Sequence, residues 1–108
     1  MSGRDVERKT GDAVTAAVPM IIGSLAANGV TNVHWFLSFH GYPVIWLVTN
    51  SDAEKERVTE HGCFRTEVLS ALAEAGVADD LVERTHVTVE SEQTVDRDFE
   101  GSWFYAMR

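Results

Sequence analysis

The hydrophobic pattern changes period three times along the chain, and each change marks an element. From Asp5 to Asn28, Val6, Ala13, Val14, Ala17, Val18, Ile21 and Leu25 recur at three- and four-residue steps, the signature of an amphipathic helix. Pro19 has no N–H to donate to the preceding turn, so it either kinks this helix or begins a new one. Asn28-Gly29 supplies a left-handed stop.

The period then drops to two. Val33, Trp35, Leu37 and Phe39 alternate with His34, Phe36, Ser38 and His40, and after Gly41-Tyr42-Pro43 the run from Val44 to Thr49 continues in β-branched and aromatic residues. Two such runs so close together predict an antiparallel hairpin. A short turn sets Trp35 opposite Val48 and Leu37 opposite Trp46, with the register open by one residue because Pro43 cannot close a tight turn.

Helical spacing returns after Ser51. Ser51 and Glu54 form a capping box, and Val58, Phe64, Val68, Leu72 and Ala75 make a buried stripe that ends at Gly76, with Gly62 as a point of division. Residues 86–90 predict a third strand and 102–107 a fourth, with a turn or single helical turn over Val95–Phe99 between them. The expected architecture is therefore α+β in the order αββαββ, a two-layer sandwich. A four-stranded, mainly antiparallel sheet carries two helices on one face. At 108 residues the whole chain, 1–108, is read as a single domain.

Charge sharpens this pattern. Ala13 through Ser51 contains no Asp, Glu, Lys or Arg, the charges up to Asp12 cancel, and the net charge of −8 belongs to the part from Asp52 onward. A stretch so long without charge is kept from water by the core, a partner or a bilayer. The bilayer reading fails because Thr15, Pro19, Gly23, Ser24, Asn28 and Gly29 interrupt the apolar run. An antiparallel sheet with one wet face alternates apolar with polar residues, yet this hairpin is apolar on both faces. Its richer face suits the helices. The other, with His34, Phe36, Ser38, His40, Ile45 and Leu47, is the expected interface or pocket lining. A bare apolar patch on a monomer normally marks an association site.

Chemistry-bearing motifs are sparse. Neither a Gly-rich loop followed by Lys-Ser/Thr nor a dinucleotide fingerprint is present, and no catalytic set is read. His34 and His40 stand about 20 Å apart along an extended strand, too far to share a zinc ion, so no metal and no cofactor are expected. Cys63 is the only cysteine, which excludes an internal disulfide, and two helical steps from His61 it is read as a small hydrophobe. Glu90, Glu92, Asp96, Asp98 and Glu100 form an acidic run suited to docking on a basic protein. Asp96 to Gly101 lacks the glycine and distal Glu of a calcium loop.

The excess of acid excludes direct contact with nucleic acid, and the N-terminus lacks the basic, apolar and small-residue regions of a secretory signal, which places the chain in the cytoplasm. The reading these observations favour is a non-enzymatic protein-binding module. It self-associates as a homodimer through the apolar sheet face, with an acidic surface for a basic partner, as in immunity or inhibitor proteins. The rival is a small-molecule-binding protein or small enzyme with a histidine-lined pocket between hairpin and helices, drawing on His34, Ser38, His40, Tyr42 or His86.

Overall fold

The computed structural model describes residues 3–99 and 101–103. Helix α1 runs from Gly3 to Leu25 with Pro19 inside it, followed by a 3₁₀ turn at Ala26–Asn28. Strands β1 (Val30–Leu37) and β2 (Pro43–Thr49) form the hairpin. Three helices follow, α2 (Asp52–His61), α3 (Phe64–Ala75) and α4 (Asp79–Arg84), before strand β3 (His86–Ser91) and helix α5 (Glu92–Asp98).

The architecture is α+β, but it departs from the expected four-stranded, mainly antiparallel sheet with two helices. The sheet has three strands in the order β1-β2-β3, and five α-helices are described. β1 and β2 pair antiparallel, whereas β2 and β3 pair parallel. The reason is the connection. Three helices between β2 and β3 carry the chain back to the end where β2 began, and a return of that kind produces a parallel neighbour. The expected fourth strand is not found at Ser102 or Trp103, and its remainder lies outside the described residues.

Local chemistry explains most of the boundaries. Gly29 ends the first helical segment at φ 110°, and a Cβ there would also come within 2.9 Å of Glu54 Oε2, so the position suits only glycine. Ser51 caps α2, its Oγ accepting from the Glu54 N–H at 3.3 Å and donating to Glu54 Oε1 at 3.2 Å. Gly62 divides α2 from α3 and Gly76 ends α3, both at positive φ. Helix α4 has Ala78 at its N-cap and no side-chain cap, so little announces it beyond Asp79 and Asp80 in the first turn and Arg84 in the last. Helix α5 is capped by Ser91, whose Oγ accepts from the Thr94 N–H at 3.0 Å.

The hairpin register also differs from expectation. Trp35 lies opposite Ile45, and Leu37 opposite Pro43. The loop is three residues, Phe39-His40-Gly41: the Gly41 N–H donates to the Ser38 carbonyl at 2.9 Å, the Ser38 N–H to the Tyr42 carbonyl at 2.8 Å, and Gly41 takes φ 86°. A type I turn followed by a left-handed glycine is the usual way to close such a loop. The longer loop slides β2 along β1 and moves Ile45 and Leu47 to the same face as Trp35.

One hydrophobic cluster forms on that face. Val33, Ile45, Leu47 and Val89 of the sheet meet Val14, Ala17, Ile21 and Leu25 of α1, Val58 of α2, and Val68 and Leu72 of α3. Each fully buried Leu or Ile in it contributes about 1.5–3 kcal/mol of transfer free energy. The stretch Glu7–Asn28, at mean hydropathy 1.3, has the length and composition of a membrane-spanning helix. Its apolar stripe is the one that packs on the sheet.

Candidate functional site

The opposite face of the sheet is where the candidate site lies. Pairing lays its residues out in rows: Phe36, Val44 and His86 across the hairpin end, then His34, Trp46 and Thr88, then Asn32, Val48 and Glu90. No formal charge comes from β1 or β2. The rows differ in how far the chain covers them.

At the Val48 row the face is covered at its centre, while Asn32 at the edge is exposed. Val48 is fully buried although it is outside the helical-side cluster, and so is Val95 of α5. Trp103 lies over the middle row, its ring centroid 4.7 Å from that of His34. At the Phe36 row the face is open. Phe36 is 40% exposed, and Phe39 at the first central position of the turn is 97% exposed. His86 is exposed beside the half-buried Tyr42, with ring centroids 5.4 Å apart. Two buried polar atoms border this surface without a hydrogen-bond partner among the described residues, Trp46 Nε1 and Ser38 Oγ. A buried orphan of this kind costs about 1–3 kcal/mol.

The sequence-derived site therefore divides. His34, Phe36 and Ser38 belong to this face and its end, and His40 is exposed in the turn. Ile45 and Leu47 are fully buried on the helical side. Val44 and Trp46 occupy the places assigned to them. A sequence reading that counted a three-residue loop ending in glycine would have exchanged the two pairs.

The acidic run is dispersed rather than gathered. Glu90 receives the Lys55 ammonium at 3.0 Å, and Asp98 receives Arg97 at 3.2 Å. Glu92 and Asp96 lie on α5, and Glu100 lies outside the described residues. The strongest electrostatic feature was not anticipated: Asp52, at the start of α2. Its Oδ1 accepts from the Ser91 hydroxyl and from Thr94 Oγ1 at 2.6 Å, while Oδ2 meets Arg97 at 3.2 Å. These hydrogen bonds, Ser91's foremost, hold its carboxyl at about 2, below the ordinary 3.8. Arg97 is shifted upward by Asp98 and Asp52. The Asp52 backbone N–H also donates to Gln93 Oε1 at 3.1 Å, so α2 and α5 are tied start to start. The pattern signal is present in Ser91 and Thr94, a capping pair three positions apart, but nothing in the linear chain points to Asp52 as their partner.

Other candidates carry less. Cys63, read from the sequence as a small buried or half-buried hydrophobe, is exposed at the α2–α3 junction, where Gly62 has turned the chain out of the helix. The His61 side chain lies outside what is described. No group of three or more His, Cys, Asp or Glu converges on a metal-sized space among the described residues. Two grooves lie on the helices: one of about 220 Å³ between α1 and α3, bordered by Met20, Ser24, Glu67 and Glu74, and one of about 470 Å³ along α2 at Lys55, Glu56, Thr59 and Glu60. Histidine lines neither. No protein-family model, no curated protein and no solved structure matches this chain.

Proposed function

We propose that the protein is an association module whose contact surface is the open end of the second sheet face together with the turn, and that its first partner is a second copy of itself. The observation that carries the reading is Phe36, an exposed aromatic in the middle of a charge-free strand face, with the still more exposed Phe39 beyond it. Burying such a ring on association gains about 25 cal/mol for each Å² removed from water, with no charge to desolvate.

Two-fold symmetry sets like against like. A patch free of formal charge tolerates that arrangement, whereas the acidic second half of the chain would repel itself. A basic partner on the acidic surface gains less support, because Glu90 and Asp98 already hold cations of this chain.

Sedimentation velocity across a wide concentration range tests the proposal. The expected result is a reversible monomer–dimer equilibrium that the double substitution Phe36→Ser, Phe39→Ser shifts to monomer with the circular dichroism spectrum unchanged. A chain that stays monomeric at the highest concentration, indistinguishable from the variant, removes the basis for it.

A further inference from the structure

Strand β1 ends the sheet, with only β2 hydrogen-bonded beside it among the described residues. Two contacts fix which of its peptide groups face that open edge. The Ser38 N–H donates to the Tyr42 carbonyl, in line with the register, so even-numbered residues exchange bonds with β2. Val33 points the other way: its N–H donates to its neighbour Asn32 Oδ1 at 2.8 Å instead of to Leu47. Antiparallel pairs alternate in this manner, so Trp35 and Leu37 also direct their N–H and C=O groups outward. Asn32 occupies the Val33 donor; no described side chain does the same for Trp35 or Leu37.

Edges of this kind are usually blunted by lysine, proline, an inward charge or a bulge. Val30–Leu37 contains no charged residue and no proline, and its irregularity is confined to the Val30–Asn32 end. The half of the strand whose outward groups meet no described partner is regular.

We infer that this edge pairs antiparallel with the same edge of a second copy, Trp35 of each chain exchanging hydrogen bonds with Leu37 of the other. Two three-stranded sheets become one continuous sheet. This register uses the outward groups that Asn32 leaves open, and it sets Phe36 opposite its own copy at the two-fold axis. There the pair is of the non-hydrogen-bonded kind, with Cα atoms about 4.5 Å apart and the rings side by side. The exposure of Phe36, otherwise unexplained, then has an occupant.

Charge selects a second copy over a foreign strand. From Ala13 to Ser51 the chain carries none, so a self-paired seam sets no carboxylate against another although each protomer is at −8. The inference rests on the association reading above and adds the groups that meet.

Its test uses the full chain. Cys63 is exposed and is first replaced by serine, after which Phe36→Cys and Thr88→Cys are compared, Thr88 being exposed on the same face but on the far strand. Mild oxidation, which traps even the weakened encounters of chains lacking the Phe36 ring, is expected to link the Phe36→Cys chains into disulfide dimers faster than the Thr88→Cys chains. Amide hydrogen exchange on the unsubstituted chain gives a reading that no variant's folding can disturb. The Trp35 and Leu37 amides are expected to slow at least tenfold as concentration rises through the dimerisation range, while those of His34 and Phe36, already bonded to β2, keep their rates. A dimer that leaves the Trp35 and Leu37 amides unprotected and links the Phe36→Cys chains no faster than the Thr88→Cys chains overturns edge pairing and leaves association through the face standing. A chain that is monomeric throughout overturns both.

Discussion

The two faces of the β1–β2 ribbon are made of similar residues and meet opposite fates. Ile45 and Leu47 are fully buried beneath α1, α2 and α3, while one residue along, Val44 and Trp46 are only half-buried and Phe36 opposite Val44 is exposed. Hydrophobicity does not separate them. What separates them is the supply of cover: three helices lie on one side, and on the other, among the described residues, Val48 and Val95 of α5 are buried and Trp103 lies over His34 while Phe36 stays exposed. Apolar patterning on both sides of a strand therefore states a demand for two covers, and the described residues provide about one and a half. The unmet half is where function is most economically sought.

Substitutions on either side of the ribbon tell the two faces apart. On the helical side, Leu47→Ala leaves a cavity among residues with no room to collapse, and a loss of about 2–5 kcal/mol is expected in chemical denaturation. A loss below about 1 kcal/mol would mean that this face is not the core. On the other side, Trp103→Ala removes the ring over His34 and should cost about 1–2 kcal/mol, with His34 becoming more accessible to solvent by NMR. No change in either would separate Trp103 from the closure of the face.

Smaller at neutral pH, but distinctive in acid, is the tie between α2 and α5. The Asp52 carboxyl is held at about 2 in the fold against an ordinary 3.8, so the charged form is favoured by folding. Its contribution is complete above 3.8 and is lost as pH falls through that value toward 2. Thermal unfolding of Asp52→Asn followed between pH 5 and pH 2 should show a shallower acid slope than the unsubstituted chain. Equal slopes would assign the acid sensitivity elsewhere. The smallest effect on stability is expected at the turn: Phe39→Ser, at a residue 97% exposed, should change unfolding free energy of the monomer by no more than about 0.5 kcal/mol, in contrast to Leu47→Ala. A fall comparable to that of Leu47→Ala would show that Phe39 belongs to the protomer's own core and not to a contact surface.

Much of the local structure was legible in the linear chain because its causes are local. Periodicity located the first helix, the hairpin and the stripe of α3. Ser51 with Glu54 marked the start of α2, and glycines at 29, 62 and 76 ended segments that their positive φ angles now explain. The third strand was visible in its β-branched run. Helix α4 was not, since it has no capping side chain, and α5 was shortened to a turn because its polar sequence buries only Val95.

Of the site, the sequence by itself determined that the hairpin would carry two apolar faces without a charge, for that follows from alternation and composition alone. Tertiary structure decided which residues face which way, because closing the hairpin at Phe39-His40-Gly41 shifts the partners along β2 by three residues, an odd number that turns every one of them to the other face. It also decided that β3 would run parallel to β2, through the helices between them, and that Asp52 would meet Ser91, Thr94 and Arg97. These are relations between segments some forty positions apart, set by how helices pack on a sheet, and no periodicity within a segment encodes them.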